Sequence, residues 1–207
     1  MKSGMLELVD RLLIKGDLKT PELIEAFLKN DRSNFVPDIY SWRTYENNPI
    51  SIGFGQTISQ PSTVAFMMEL LQPKSGDKVL DIGFGSGWTT AILADVVGEK
   101  GSVLSVEIQP EVYKFGIENL KQFNYQNIEF FLGSWEDLSP GKFDRILVSA
   151  ATDSSVLPKL VTKLKAGGRM VIPVQVDSDQ EIQLIVKNSK DDFFQKNYPG
   201  FIFVPLV

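Results

Sequence analysis

Two short segments of the chain hold residues that could do chemistry. Residues 51–61 read SIGFGQTISQP, in which the amide of Gln56 is followed by the hydroxyls of Thr57 and Ser59. Residues 79–88 read VLDIGFGSGW, an apolar run that leads into three alternating glycines. Glycines in such a turn let a ligand touch the backbone, and the free N–H groups at the start of a following helix bind anionic groups. The second segment therefore predicts a nucleotide-type site.

The composition limits the chemistry. The chain of 207 residues contains no His and no Cys, which excludes disulfides, thiolate metal sites and Cys nucleophiles such as those that form C5-methylated cytosine. The commonest general base and metal ligand is also missing, so we expect no metal. The net charge is −5, the pI is near 4.9, and no basic cluster is long enough to follow a phosphate backbone. We therefore expect no nucleic-acid partner.

The chain is expected to be soluble. Hydrophobic residues make up 43% and charged residues 23%, and no window approaches the roughly 18 apolar residues that a membrane span needs. The first 16 residues, MKSGMLELVDRLLIKG, carry charges and lack a small-residue cleavage site, unlike a secretory signal. We expect a cytoplasmic protein with no membrane partner. No long apolar stripe is left over for an interface, which favours a monomer.

The elements that position these segments are predicted from hydrophobic periodicity. Helical spacing indicates two short helices within residues 4–30, the second with the Thr20 hydroxyl as N-cap and Pro21 at its first position. Residues 31–51 have no clear period and are expected to form a loop packed by aromatic side chains. A further apolar helix is expected over residues 62–71.

From residue 78 onward, apolar strands alternate with amphipathic helices. Predicted strands lie at 78–83, 102–107, 128–132, 143–149 and 168–174, and predicted helices at 88–97, 109–122 and 155–165. This alternation predicts a parallel sheet covered on both faces. Strands at 181–187 and 201–206 follow without a clear helix between them, so we expect an antiparallel end to the sheet.

Spacing decides which nucleotide the glycine turn fits. A dinucleotide fingerprint would need Gly where Trp88 stands, and the P-loop lysine is absent. Asp81 stands two residues before the first glycine and Glu107 ends the next strand, a pattern that resembles S-adenosylmethionine-dependent methyltransferases. The resemblance implies that Asp81 and the glycine backbone hold the methionine part and that Glu107 accepts both ribose hydroxyls. Taken alone, the glycines could form a plain turn and Glu107 a solvated strand end.

Six segments together resemble the protein-L-isoaspartate O-methyltransferase family, in that family's order and over nearly the whole chain. They are DRSNFVP (31–37), NNPISIGFGQTISQP (47–61), VLDIGFGSGW (79–88), FDRILVSAA (143–151), LKAGGRMVIPV (164–174) and FVPL (203–206). GQTISQP and FVPL discriminate better than the glycine turn, which many methyltransferases share. The resemblance implies an α/β fold with a doubly wound, mostly parallel seven-stranded Rossmann-like sheet and a small N-terminal helical extension. We expect one domain over 1–207, with helices and active-site loop in 1–60 and the core in 61–207.

The resemblance also implies site residues. The catalytic group is Gln56, Thr57 and Ser59, close to the isoaspartyl carboxylate of a damaged protein or peptide. The residues expected to bind S-adenosylmethionine, and its product S-adenosylhomocysteine, are Asp81, Ile82, Gly83, Phe84, Gly85, Ser86, Gly87, Glu107, Ile108, Ser134, Trp135 and Asp137. The residues expected on the substrate side are Phe54, Gly55, Ile58, Val204, Pro205 and Leu206.

Structural roles compete with these assignments. Ser59 precedes a helix and could be only its N-cap, although an N-cap can also present its hydroxyl to a carboxylate. Gln56 and Thr57 could simply pack their loop, and Phe203 and Leu206 could belong to a core strand.

The chain departs from the family pattern at three places. The usual Gly-Asp-Gly after the third strand of the sheet is replaced by GSWED at 133–137, so either Asp137 reaches the adenine amino group or Trp135 stacks on the base. Phe54 stands where the family has His, and Phe84 where it has Thr. We expect both changes to make the pocket more apolar, which would be compatible with a substrate range that differs from the family's.

The residues around the fourth strand of the sheet argue against two other classes of methyltransferase. An adenine N-methyltransferase would need a Pro-Pro-aromatic run after the fourth strand of the sheet, where this chain has Ser-Ala-Ala-Thr at 149–152. A metal-assisted catechol-type enzyme would need more carboxylates there than Asp144 and Asp153. Two alternatives stay open: a methyltransferase for another carboxylate or an aspartate-bearing peptide, and a cofactor-binding module without turnover.

Overall fold

The computed structural model describes residues 4–139, 141–189 and 192–206. Strands occupy nine segments of these residues: β1 (Ile50–Gly53), β2 (Gln56–Ile58), β3 (Lys78–Ile82), β4 (Ser102–Glu107), β5 (Ile128–Leu132), β6 (Phe143–Val148), β7 (Leu164–Val176), β8 (Asp179–Lys187) and β9 (Phe193–Pro199). α-Helices occupy six: α1 (Gly4–Lys15), α2 (Pro21–Lys29), α3 (Pro61–Leu71), α4 (Trp88–Val97), α5 (Pro110–Leu120) and α6 (Leu157–Lys163). Within the described ranges, every helix is too short or too polar to span a membrane.

Seven strands form one sheet in the order β5-β4-β3-β6-β7-β8-β9. Strands β3 to β7 are parallel, β8 is antiparallel to β7, and β9 is antiparallel to β8. The chain moves outward from β3 to β5 and then returns to β6 on the other side of β3, a reversal beside which such sheets bind ligands at the carboxyl ends of their strands. The predicted doubly wound, mostly parallel seven-stranded fold is confirmed.

The central strands read as continuous apolar runs because both faces of the sheet are covered. Val79 and Leu147 pack into one buried cluster, and Leu80 and Ile146, their neighbours in sequence, pack into another on the opposite face. Each fully buried side chain of this kind contributes about 1.5–3 kcal/mol. The two clusters therefore fix the register of β3 against β6, and with it the loops that follow these strands.

The N-terminal helices pack on α4, the helix that follows the glycine turn. The rings of Phe27 in α2 and Trp88 in α4 meet edge to face at 5.4 Å. The Trp88 indole N–H donates to the backbone carbonyl of Asn30 at 2.9 Å, so this buried polar group is satisfied. The helical extension thus packs directly on the helix that begins at the end of the glycine turn.

The expected N-cap hydroxyl of α2 has a different partner. Thr20 occupies the N-cap position, but its side chain makes no capping bond. Its hydroxyl donates instead to the Glu69 carboxylate of α3 at 2.8 Å. A cap would use the hydroxyl oxygen as an acceptor from a backbone N–H, and the charge-assisted bond that the hydroxyl donates to Glu69 is about twice as strong as such a neutral bond.

Residues 31–51, predicted as a loop, contain two short 3₁₀ helices and the start of a hairpin. Strands β1 and β2 pair antiparallel, with Ile50 opposite Ile58 and Ser51 opposite Thr57. The turn between them has positive φ at Gly53 (88°), Phe54 (54°) and Gly55 (76°). Two glycines make such a turn accessible. The segment predicted as catalytic therefore lies on the second strand of a hairpin.

The prediction of a strand at 201–206 was wrong, because β9 occupies residues 193–199 instead. β9 is largely exposed, which suits the edge of a sheet, and it pairs with β8 over its full length. The FVPL segment lies across the carboxyl ends of the strands and makes a single bridge, between Pro205 and Ala151. Its apolar pattern reflects packing over the site and not membership of the sheet.

Candidate active site

The loops at the carboxyl ends of the parallel strands build one pocket. The glycine loop, residues 83–87, joins β3 to α4, and its first N–H, that of Gly83, donates to the Val106 carbonyl at 2.8 Å. Gly83 and Gly85 have φ of 75° and 55°, which a side-chain-bearing residue rarely adopts. The backbone of this loop therefore faces the pocket without side chains in the way.

Asp81 lies behind the glycine loop and does not line the pocket. It is fully buried, and its Oδ2 accepts hydrogen bonds from the hydroxyls of Thr90 at 2.7 Å and Thr89 at 3.1 Å. Burial, with a smaller contribution from the charge of Glu107, raises the pKa of Asp81 to about 6. Its Oδ1 has no hydrogen-bond partner among the described residues. Asp81 thus anchors α4 beneath the loop, and its side chain is not among those that line the pocket, where the resemblance implied a contact with the methionine part.

Glu107 ends β4 at the pocket, where the sequence places it. Its Oε1 accepts the backbone N–H groups of Ile108 at 2.9 Å and Gln109 at 3.1 Å, and its Oε2 accepts that of Gly85 at 3.3 Å. A carboxylate has about four acceptor positions and three are occupied here, so one remains for a donor from a ligand. The reading of Glu107 as a solvated strand end does not fit, since only 7% of the residue is exposed.

The two candidates for adenine recognition have different positions. Trp135 lines the pocket and is buried, whereas Asp137 is exposed and does not line it. Ser134 also lines the pocket, and its hydroxyl oxygen caps a short 3₁₀ helix by accepting the Glu136 N–H at 3.2 Å. This arrangement favours an aromatic contact over a carboxylate contact at this end of the pocket.

The catalytic candidates Gln56, Thr57 and Ser59 all line the pocket, together with Ile58. The N-cap position of α3 is held by Gln60, and the Asn47 side chain accepts the Ser62 N–H at 2.9 Å at this helix start. The hydroxyls of Thr57 and Ser59 make no hydrogen bond within the described part of the chain. The alternative that Ser59 serves only as a cap is therefore not supported, and both hydroxyls are available to a ligand.

Arg32 holds this segment in place, a role that the sequence did not reveal. Its guanidinium is fully buried, lies over the Trp88 ring at 5.4 Å, and donates to four backbone carbonyls: those of Thr44 (2.6 Å), Asn48 (3.1 Å), Ser59 (3.0 Å) and Glu46 (3.3 Å). Burial lowers the pKa of Arg32 to about 9, so the group keeps its charge at neutral pH. The only available signal was the DRSNFVP segment, which did not indicate what Arg32 binds.

Neither Phe54 nor Phe84 makes the pocket apolar in the expected way. Phe84 is among the pocket-lining residues, but it is only 2% exposed and its ring packs against Tyr113 and Phe130. Phe54 is 58% exposed at the tip of the β1–β2 hairpin and, like Gly55, lies outside the pocket lining. The rings of these two residues therefore add little apolar surface to the pocket.

Gly116 of α5 allows the close approach that buries Phe84. A Cβ on Gly116 would lie 2.4 Å from the Gly85 carbonyl oxygen and 2.4 Å from the Phe84 ring. Real Cβ atoms essentially never come so close. Only glycine at this position lets the helix support the glycine loop directly.

The FVPL segment closes the pocket opposite the glycine loop. Val204, Pro205 and Leu206 line it, held by hydrogen bonds from the Ala151 N–H to the Val204 carbonyl (2.8 Å) and from the Leu206 N–H to the Ala151 carbonyl (2.7 Å). The Gln180 side chain accepts the Phe203 N–H at 2.6 Å and so fixes the start of the segment. Ser149, at the end of β6, lines the same pocket and was not among the predicted residues.

The residues at this pocket fit S-adenosylmethionine. The glycine loop offers a side-chain-free backbone, Glu107 offers a carboxylate acceptor for a hydroxyl, and Ile108 and Trp135 offer apolar surface for a base. Of the predicted cofactor residues, Ile82, Ser86 and Ser134 also line the pocket, whereas Asp81, Gly87 and Asp137 do not. Within the described residues, no group of three or more carboxylates is placed to hold a metal ion.

The fold and this pocket define a Rossmann-like methyltransferase, and comparisons with known proteins agree. The family model described as "Protein-L-isoaspartate(D-aspartate) O-methyltransferase (PCMT)" matches residues 3–207. The chain therefore belongs to the protein-L-isoaspartate O-methyltransferase family, as its sequence motifs predicted.

Relatives match over most of their own lengths. A protein-L-isoaspartate O-methyltransferase of Methanopyrus kandleri is 40% identical over 203 residues, which is 97% of this chain and 89% of the relative. One of Dictyoglomus thermophilum is 41% identical over 204 residues, with the same coverage of 97% and 89%. A solved structure from Plasmodium falciparum, described as a protein-L-isoaspartate O-methyltransferase in complex with S-adenosyl-L-homocysteine, superposes with a TM-score of 0.86, 25% identity and 98% coverage of both chains.

Proposed function

We propose that this protein transfers a methyl group from S-adenosylmethionine to the free carboxylate of L-isoaspartyl residues in damaged proteins and peptides. The observation that carries the proposal is that the Gln56–Ser59 segment, the glycine loop and the FVPL segment line one pocket. All three lie within the six segments by which the sequence resembles its family. The relatives that match at 40–41% identity bear the same activity in their names.

The chemistry needs neither His nor Cys. When bound, S-adenosylmethionine supplies an electrophilic methyl group on a positively charged sulfur. A side-chain carboxylate has a pKa of about 4, so it is already ionised at neutral pH and needs no general base. The work left to the protein is to align the acceptor, which can lower the barrier by several kcal/mol. We assign that work to Gln56, Thr57 and Ser59.

Each group of residues has a proposed role. The hydroxyls of Thr57 and Ser59 donate hydrogen bonds to the acceptor carboxylate and hold one oxygen toward the cofactor. Glu107 and the glycine loop hold the cofactor, while Ile108 and Trp135 cover its base. Val204, Pro205 and Leu206 exclude water from the acceptor side, which favours a reaction in which two opposite charges are neutralised.

We also propose that the chain acts as one domain and as a monomer in the cytoplasm. The N-terminal helices share a buried cluster with the sheet, which supports a single folding unit. The lack of cysteine in the chain is compatible with a reducing compartment.

The test is methyl transfer from labelled S-adenosylmethionine to two peptides that differ only in carrying L-isoaspartate or L-aspartate at one position. We expect label in the isoaspartyl peptide alone, released as methanol in mild base because the product is an ester. Label in neither peptide, with cofactor binding shown by calorimetry, would contradict the proposal and favour another carboxylate acceptor or a binding module without turnover.

Replacing Ser59 by Ala is expected to lower kcat about tenfold or more while cofactor affinity changes less than twofold, because a donor to the reacting carboxylate is lost. Steady-state kinetics and calorimetric titration with S-adenosylhomocysteine measure the two quantities. Ser75→Ala is the matched control, since Ser75 is exposed and its hydroxyl makes no hydrogen bond among the described residues. An equal loss of kcat and affinity, or no loss, would assign Ser59 a structural role.

A further inference from the structure

A groove of about 650 Å³ adjoins the cofactor pocket. Thr57, Ser59, Ser149 and Val204 line both cavities, so the groove opens directly onto the place where methyl transfer is proposed. A volume of this size suits a segment of polypeptide better than a single side chain. The groove is continuous with the proposed reaction site and lies on its acceptor side.

The two facing walls of the groove come from α3 and from the segment after β9. The first turns of α3 supply Ser62, Thr63 and Phe66, and residues 200–204 supply the opposite wall. Phe66 stacks on Phe201 with ring centroids 5.4 Å apart, which gives the groove a fixed aromatic base. Ile202, 93% exposed, adds an apolar contact surface at the rim.

Asp17 is the one charged residue among the described residues that line the groove. It lies in the turn between α1 and α2, where its N–H donates to the Leu12 carbonyl at 2.9 Å. The Asp17 carboxylate makes no hydrogen bond or ion pair within residues 4–139, 141–189 and 192–206. Its charge is therefore not neutralised by a neighbouring side chain.

The turn that carries Asp17 is fixed to the groove wall. The Glu69 carboxylate of α3 accepts the backbone N–H groups of Lys19 at 2.7 Å and Thr20 at 2.8 Å, besides the Thr20 hydroxyl. Three charge-assisted hydrogen bonds hold the turn against the helix that forms the wall. Asp17 consequently keeps its position relative to the groove, and a bound chain does not have to order it.

From this geometry we infer that Asp17 is a specificity-determining residue that favours Lys or Arg in the substrate next to the reacting residue. The inference rests on the proposed function. The groove receives the extended chain that flanks the isoaspartyl residue, and the Asp17 carboxylate attracts a cationic side chain and repels an anionic one. A partly exposed pair of this kind changes affinity by about fivefold.

The experiment measures kcat/KM for isoaspartyl peptides in which one residue is Lys, Gln or Glu. That residue is placed in turn at each of the three positions before and the three positions after the isoaspartyl residue. For at least one position we expect the Lys peptide to exceed the Glu peptide by about fivefold. Asp17→Asn should bring that ratio below about twofold, and Asp17→Lys should invert it. Asp38→Asn is the matched control, because Asp38 is exposed and outside the groove, and it should leave the ratio unchanged.

Two results would overturn the inference alone: equal rates for the Lys and Glu peptides at every position, or a preference that persists in Asp17→Asn. The second would assign the preference to the overall net charge of −5. No methylation of any isoaspartyl peptide by the unaltered protein would overturn the proposed function together with the inference. Thermal unfolding of each variant confirms that the compared proteins are folded.

Discussion

Replacing Arg32 by Met is expected to lower the free energy of unfolding by about 3–5 kcal/mol and to lower kcat at least about tenfold. The guanidinium satisfies four backbone carbonyls around the hairpin, including the carbonyl of Ser59. Met fills a similar volume but donates nothing, so these carbonyls are left without their donor. The hydroxyl of Ser59 then loses its fixed position beside the cofactor pocket.

Urea unfolding and steady-state kinetics measure the two effects. Arg11→Met is the matched control, because Arg11 is exposed and donates to one carbonyl, that of Tyr45. Arg32→Lys should recover part of the stability, since an ammonium group can satisfy some of the four acceptors. If Arg32→Met were as stable and active as Arg11→Met, the proposed role of Arg32 in positioning the hairpin would be wrong.

Replacing Gly116 by Ala is expected to weaken S-adenosylhomocysteine binding about tenfold or more. In an exposed helix, replacing Gly by Ala stabilises the helix by about 1 kcal/mol. Here the added methyl group would overlap the Gly85 carbonyl and the Phe84 ring, both at 2.4 Å. Because one of these is backbone, either α5 or the glycine loop must move, at a cost of about 1–3 kcal/mol.

Calorimetric titration gives the dissociation constant, and thermal unfolding separates affinity from stability. Lys114→Ala, an exposed change on the same helix, controls for altered helix propensity and should bind normally. Unchanged affinity in Gly116→Ala would show that α5 can withdraw without disturbing the cofactor loop.

The sequence predicted the elements whose pattern is set by local chemistry. β4 and β5 begin and end where hydrophobic patterning placed them, and the glycine loop lies between a strand and a helix as its composition required. Glu107 is at the pocket because parallel strands end at one edge of the sheet. These features depend on a few neighbouring residues, so one sequence is enough to predict them.

Features that depend on distant partners could not be predicted. FIFVPL has a stronger strand pattern than FFQKNYP, yet the latter forms β9, because pairing with β8 decides membership of the sheet. Phe84 was expected in the pocket, but the absence of a side chain at Gly116 lets its ring turn under α5. The four carbonyls that Arg32 binds come from residues 12 to 27 positions away. No local signal marks such a set.

The edge position of β9 has a consequence for solubility. An outermost strand exposes unpaired backbone groups that can recruit a strand from another molecule, and Phe193 and Phe194, about half exposed, would strengthen such a contact. Lys196 stands in the middle of β9 and Pro199 at its end. A charge and a residue without an N–H are two of the means by which natural sheets resist aggregation. Lys196 and Pro199, which make FFQKNYP a weak strand pattern, thus also protect this edge of the sheet against aggregation.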